Sequence, residues 1–253
     1  MLIDTHCHLY LEEFRPDIDE VIKRGIAAGI ERFYLPAVDS STTADMLRLE
    51  GEYPGVCIPM IGLHPCSVKD NYEQEMRLVN DWLTKRRFAA IGEIGLDFYW
   101  DKTFIKEQYG AFNKQIQLAI DHDVPVVIHT RDAMAETIEV IQNYKGRARG
   151  IFHCFGGSLE EAQRIIDLGF YMGIGGVVTY KKSGLAEVIK QIDLQHFVLE
   201  TDAPYLTPVP FRGKRNESSY LKYIVEKIAE VKELPVQDVS AITTANALKV
   251  FGS

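Results

Sequence analysis

Two rhythms of apolar residues alternate along this chain: short β-rich runs that end at a histidine or a carboxylate, and longer stretches with the three-and-four spacing of amphipathic helices. Eight runs of the first kind can be counted: Met1 to His6, Arg32 to Val38, Val56 to Leu63, Phe88 to Ile94, Pro125 to His129, Gly150 to His153, Phe170 to Ile174, and Phe197 to Thr201. Between them, Ile18, Val21, Ile22 and Ile26 predict a helix before the second run. Ile105, Tyr109, Phe112, Ile116 and Ala119 predict another over Phe104 to Ile120, stopped at the break His122-Asp-Val-Pro125. The stretch Ser218 to Ser253 reads as two closing helices, the last beginning near Val236-Gln-Asp238.

Strand and helix in strict alternation suit either a (β/α)₈ barrel or a doubly wound open sheet. At 253 residues the chain has the length of such a barrel with little left over, and it shows neither an internal repeat nor a linker. The expectation is one domain over residues 1–253. The choice between the two folds rests on where the polar residues fall. His6 and His8, Glu93, His129, His153 and Asp202 lie at or near the ends of the first, fourth, fifth, sixth and eighth runs. An open sheet would scatter them along its length, whereas a barrel gathers them round its C-terminal rim, where barrel enzymes place their chemistry.

In Asp4-Thr-His-Cys-His8 the period of two puts His6 and His8 on one face with Asp4 below them. Glu93 lies in Ile91-Gly-Glu-Ile-Gly-Leu-Asp97, and Asp202 precedes the Ala203-Pro204 stop. Imidazoles and carboxylates packed this closely would repel or stay unpaired without a cation. Six ligands exceed the needs of one tetrahedral ion, and a carboxylate can bridge two. The expected arrangement has Glu93 bridging, with His6, His8 and Asp202 at one metal, and His129 and His153 at the other. Glu93 and Asp202 are the expected catalytic residues, Asp202 also accepting a proton from the attacking water. Imidazole suits zinc, manganese, nickel or iron, and carboxylate suits magnesium or manganese, so Mg²⁺, Mn²⁺ and Zn²⁺ all remain open.

Further groups border the same rim. His64, in Gly62-Leu-His-Pro65, can hydrogen-bond a substrate oxygen or serve its turn. Arg131, Arg212 and Arg215 can form a phosphate clamp, since guanidinium forks match phosphate oxygens. Glu200 shares a face with Asp202 as its expected supporting carboxylate. His122 and His196 read as loop residues without a role.

Composition adds boundary conditions. With 46% hydrophobic and 25% charged residues the chain is an ordinary globule, and a net charge of −8 argues against a generic lysine-coated nucleic-acid binder while allowing local positive charge at a nuclease site. No run of about 18 apolar residues is present and Met-Leu-Ile meets Asp4 at once, so neither a membrane span nor a signal peptide is expected, and the cytoplasm is the expected compartment. Cys7, Cys57, Cys66 and Cys154 show no C-x-x-C spacing and are expected as reduced thiols. Cys7 and Cys154, each beside a ligand candidate, face the helix layer by alternation.

At these residues the chain resembles the TatD family of metal-dependent hydrolases, within the amidohydrolase-like barrels. The strings that carry the resemblance are Ile3-Asp-Thr-His-Cys-His8, Gly62-Leu-His-Pro65, Gly92-Glu-Ile-Gly-Leu-Asp97, Ile128-His-Thr-Arg131, Phe152-His-Cys-Phe155 and Leu199-Glu-Thr-Asp-Ala-Pro204, which together cover nearly the whole chain. The resemblance implies a TIM-type barrel, a two-metal centre on His6, His8, Glu93, His129, His153 and Asp202, and hydrolysis of DNA phosphodiesters. One departure is visible: Ser218 follows Asn216-Glu217 where family members commonly carry proline, which bears on the loop holding Arg212, Arg215 and Asn216.

The function expected first is a deoxyribonuclease acting on single-stranded DNA or on DNA ends, because a concave mouth admits a strand end more easily than a duplex. The same ligands would serve hydrolysis of a carboxylic ester, amide or lactone, including an aminoacyl ester on tRNA. A non-catalytic binding barrel is the reading from another class, and it would have no need of Asp202.

Overall fold

The computed structural model describes Met1–Gly252, so Ser253, the end of the expected closing helices, lies outside the described residues. Eight parallel strands run in chain order: β1 (Leu2–Asp4), β2 (Ile30–Leu35), β3 (Cys57–Pro59), β4 (Ile91–Asp97), β5 (Val126–Arg131), β6 (Gly150–Phe152), β7 (Tyr171–Ile174) and β8 (Phe197–Leu199). Helices α1 (Ile18–Ala27), α2 (Ser40–Glu52), α3 (Tyr72–Lys85), α4 (Ile105–Asp121), α5 (Met134–Gln142), α6 (Leu159–Asp167) and α7 (Leu185–Lys190) return the chain between strands, and α8 (Leu221–Lys232) and α9 (Val236–Phe251) close it. Among the described residues no helix is long and apolar enough to cross a membrane.

Strands β1 to β3 pair in one set and β4 to β8 in another, always in parallel. Backbone bonds join the sets at both seams: the Gly92 N–H donates to Ile61 O at 2.9 Å, and the Thr5 N–H donates to Leu199 O at 3.0 Å. The result is the expected (β/α)₈ barrel. Except for β4 and β5 its strands are shorter than the apolar runs, so His6, His8, His153 and Asp202 stand just past a strand end while Glu93 and His129 lie on strands.

Side chains from successive strands fill the lower barrel: Ile3, Tyr34, Val127, Ile151 and Val198, with Met60 and Ala90 from the flanks of β3 and β4. Helix α9 plugs that end with Ala247 and Val250, and Phe251 stacks on Tyr34 at 3.9 Å between ring centroids. Asn246 donates to the carbonyls of Leu194 and Phe197, holding α9 to the entry of β8. A floor packed with apolar groups leaves only the opposite, C-terminal end for polar chemistry.

Helix α4 fixes that end. It buries Ala111, Phe112, Ile116 and Ala119 at helical spacing, and with them two glutamines. The Gln108 side chain accepts from Asp97 N at 2.9 Å and donates to Asp97 O at 3.1 Å, and Gln115 does the same for Leu63 at 2.7 and 3.1 Å. Each amide thus imitates a neighbouring strand, satisfying backbone groups where the sheet ladder runs out.

Candidate metal centre

The six expected ligands converge at the C-terminal mouth. His6 and His8 lie beyond the end of β1, yet the extended course persists because the Cys7 N–H donates to Tyr34 O at 3.0 Å and the His8 N–H to Ala203 O at 2.7 Å. The alternation read from sequence therefore holds, with the two Nε2 atoms 3.3 Å apart. Cys7 points the other way into the core between strands and helices.

Glu93 enters by a different route. The pairing of β4 with β5 runs Gly92 to Val127 and then Ile94 to Ile128, so Glu93 is the extra residue of a bulge. Bulges re-aim side chains next to functional sites. At Gly95 a Cβ would overlap the His129 carbonyl oxygen, so only glycine lets β4 pass the histidine that follows on β5. The carboxylate of Glu93 is 2% exposed and divides its oxygens. Oε2 faces His6 Nε2 at 3.1 Å and His8 Nε2 at 3.5 Å, while Oε1 faces His129 Nδ1 and His153 Nε2, both at 2.8 Å, and His64 Nε2 at 3.3 Å.

Asp202 stands beyond β8, which ends at Leu199 rather than at the expected Thr201. Its backbone is left-handed, with φ of 55°, and its N–H donates to His6 O at 2.9 Å. That places Oδ1 3.6 Å from both His6 Nε2 and His8 Nε2. His153 follows β6 directly and its ring stacks on that of His6, with centroids 3.8 Å apart.

Three trios have all their ligand atoms within 4.8 Å of one another: His6, His8 and Glu93; His6, His153 and Asp202; and His64, Glu93 and His129. The donor set of neutral imidazole nitrogens and carboxylate oxygens fits a divalent cation. Electrostatics agree. Burial alone would raise the Glu93 carboxyl, but His153, His64 and His6 hold it well below the usual carboxylate range. Burial lowers the His6 ring, with His153 adding to the effect, so its lone pair is available. Asp202, which burial would raise, is instead lowered by His8 and the neighbouring imidazoles and is a carboxylate at neutral pH. His153 is pushed well above the histidine range: burial opposes charge there, but Glu93 and Glu200 outweigh it. A cation at this position would take the place of that proton.

Supporting residues escaped the sequence reading, Asp97 foremost. Its Oδ2 meets His129 Nε2 at 2.9 Å, while Oδ1 accepts from the N–H groups of Tyr99 and Trp100 at 2.9 and 3.1 Å. The signal is in the spacing of Glu93, Gly95 and Asp97, past the Ile94 at which the fourth apolar run ends. Tyr10 fixes His8, its hydroxyl 3.1 Å from His8 Nδ1 while donating to Pro36 O at 2.6 Å. Asp4, buried beneath the pair, accepts from Thr201 Oγ1 at 2.6 Å and Thr201 N at 2.9 Å, tying β1 to the loop of Asp202.

Other expectations change. Glu200 does not support Asp202: its Oε1 accepts from the Cys154 N–H and lies 3.5 Å from His153 Nδ1, because its carboxylate fills the space that a Cβ at Gly173 would occupy. Arg215 is held by Asp17, with bonds of 2.7 and 2.8 Å, and by the Glu13 carbonyl, so those contacts bind loop to helix rather than offering a fork to phosphate. Arg131 and Arg212 instead lie over the rings of Tyr99 and Tyr180, at 3.8 and 4.1 Å from the centroids. His64 joins the Glu93 cluster while its Nδ1 accepts from the Cys66 N–H at 3.0 Å. Asn216 is fully buried and donates to the carbonyls of Thr201 and Tyr205, so the loop after β8 is pinned although Ser218 follows Glu217. His122 caps α4, and His196 ends a short turn before β8, both away from the cluster.

Known proteins match this chain from end to end. Residues 3–252 match the family described as TatD related DNase. The chain is 40% identical over 253 residues to the protein of Bacillus subtilis (strain 168) called uncharacterized metal-dependent hydrolase YabD, covering 99% of both. It is 33% identical over 258 residues to the 3'-5' ssDNA/RNA exonuclease TatD of Salmonella typhimurium (strain LT2), covering 99% of this chain and 98% of that one. The crystal structure of the TatD homolog YjjV from Escherichia coli K12 superimposes with a TM-score of 0.93 at 28% identity, covering 100% of this chain and 98% of the other. A barrel with a histidine and carboxylate cluster in its mouth, matched from end to end in this way, belongs to the TatD-related DNase family of metal-dependent hydrolases.

Proposed function

We propose that this protein is a nuclease that hydrolyses phosphodiester bonds of DNA, acting on single strands or strand ends, with two divalent ions (Mg²⁺, Mn²⁺ or Zn²⁺) held in the barrel mouth. The observation that carries the proposal is the division of Glu93: one oxygen faces His6 and His8, and the other faces His129 and His153. Asp202 completes the first group. Bound there, a pair of cations supplies Lewis acidity for a phosphoryl oxygen and lowers the pKa of an attacking water.

The chain's own residues provide the rest. Asp202, ionised at neutral pH and 8% exposed at the rim, takes the proton released by water. His64, whose pKa is lowered by burial, presents a neutral ring beside Glu93 that orients a substrate oxygen. Arg131 and Arg212, lying over the rings of Tyr99 and Tyr180, bring positive charge to a protein of net charge −8, and a guanidinium fork matches phosphate oxygens. The name of the Salmonella relative supports nucleic acid as substrate. Four free cysteines fit a reducing compartment, and we place the protein in the cytoplasm.

The test sets end-labelled single-stranded DNA beside carboxylic esters, including an aminoacyl ester of tRNA, with protein shown to carry metal. Shortening of the strand with at least one of the three ions is expected. Ester turnover without strand cleavage would transfer the centre to carbonyl chemistry.

A further inference from the structure

The loop after β4 carries two rings that the fold leaves in solvent. Trp100 is 67% exposed, the most exposed large hydrophobic side chain among the described residues, and Tyr99 beside it is 50% exposed. Their rings meet edge to face with centroids 4.8 Å apart and planes at 87°. The Arg131 guanidinium lies 3.8 Å from the Tyr99 centroid and 5.1 Å from that of Trp100, and it has no ion-pair partner among the described residues. Tyr99 is thus covered on one side by a cation, and Trp100 keeps an open face.

The position of the pair is fixed by the metal centre. The carboxylate of Asp97 that receives the backbone N–H groups of Tyr99 and Trp100 also holds His129, and His129 in turn meets Glu93. Tyr205, 50% exposed in the loop after β8, has its ring 6.1 Å from that of His8. A strand whose phosphate sits at the cluster therefore has aromatic surface within reach.

We propose that Trp100, backed by Tyr99, is a stacking platform for a nucleobase of the substrate strand, with Arg131 holding an adjoining phosphate. The choice of ligand rests on the nuclease reading. An indole face accepts any base, and base stacking on an aromatic side chain is among the stronger contacts available to single strands. Bases within a duplex are already stacked and paired, so a platform of this kind selects unpaired strands. A small ester or lactone would engage neither the ring nor the unpaired guanidinium.

Binding is measured with the metal-loaded protein and a short single strand whose phosphorothioate linkages resist hydrolysis, followed by indole fluorescence. The chain has two tryptophans, Trp82 on α3 and Trp100, so quenching on binding that vanishes in Trp100→Phe assigns the signal. Trp100→Ala is expected to weaken strand binding roughly ten-fold to a hundred-fold, with Trp100→Phe restoring most of it. Hydrolysis of a small chromogenic phosphodiester should be unchanged in both variants. An abasic strand of equal length should bind the wild type as weakly as the normal strand binds Trp100→Ala. Equal binding of abasic and normal strands, or wild-type affinity in Trp100→Ala, would overturn the platform. Failure to hydrolyse any phosphodiester while these binding differences hold would refute the nuclease reading and leave the platform standing.

Discussion

Replacing Asp97 with asparagine isolates a single hydrogen bond on which His129 depends. In the wild type Oδ2 meets His129 Nε2 at 2.9 Å, which keeps the proton on Nε2 and the Nδ1 lone pair, 2.8 Å from Glu93, directed at the cluster. An asparagine whose carbonyl keeps the bonds from Tyr99 and Trp100 turns its NH₂ toward Nε2. That donor requires a lone pair on Nε2, so the ring proton moves to Nδ1 and the ligand is lost. The opposite rotamer keeps the tautomer but forfeits two backbone hydrogen bonds, each worth about 0.5–1.5 kcal/mol. Either way roughly 1–3 kcal/mol separates the variant from the liganded geometry, which matches the 10- to 100-fold loss of metal affinity typical of a lost supporting carboxylate. Calorimetric titration of divalent metal into metal-free protein reads the effect, with circular dichroism showing that the barrel persists. Metal affinity in Asp97→Asn equal to the wild type would refute this role for Asp97.

Asp202→Asn keeps one oxygen for a metal but cannot accept a proton, so turnover is expected to fall by ~10²–10⁴ with strand affinity little changed, as steady-state and binding measurements would show side by side. Asn216→Ala removes the donors to the buried carbonyls of Thr201 and Tyr205, and thermal denaturation should record a loss of about 2–4 kcal/mol together with lower activity from a loosened Asp202 loop. Metal content should depend on pH: in the metal-free protein His153 lies well above the histidine range and His129 above it, since neighbouring carboxylates outweigh burial. Protons therefore compete with the cation as pH falls, beginning above the usual histidine value of about 6.5, and dialysis followed by elemental analysis across pH should show release starting there rather than in the carboxylate range.

The eight-fold alternation and the positions of the candidate ligands were legible because parallel barrel strands are short, apolar and interrupted by polar residues at one end only. His6 and His8 could be placed on one face since backbone bonds from Cys7 and His8 maintain the extended course past β1. Glu93 could be located but not oriented: the bulge between Gly92 and Ile94 is a property of the pairing with β5, invisible in a period of two. Asp97 was lost for a related reason, because β4 runs on through Gly95 to Asp97 where glycines in sequence suggest an ending. The partner of Glu200 depends on the absence of a side chain at Gly173 on the neighbouring β7, and the occupation of Arg215 depends on Asp17, nearly two hundred residues away in the chain. Contacts between distant segments carry no local signal.

Everything about the proposed chemistry turns on Glu93 serving two groups of ligands through separate oxygens. Crystals grown with Mn²⁺ and measured for anomalous scattering would test this most directly. Two peaks are predicted, on either side of the Glu93 carboxylate, one against His6, His8 and Asp202 and the other against His129 and His153. A single peak, or peaks that leave Glu93 uncoordinated, would contradict it.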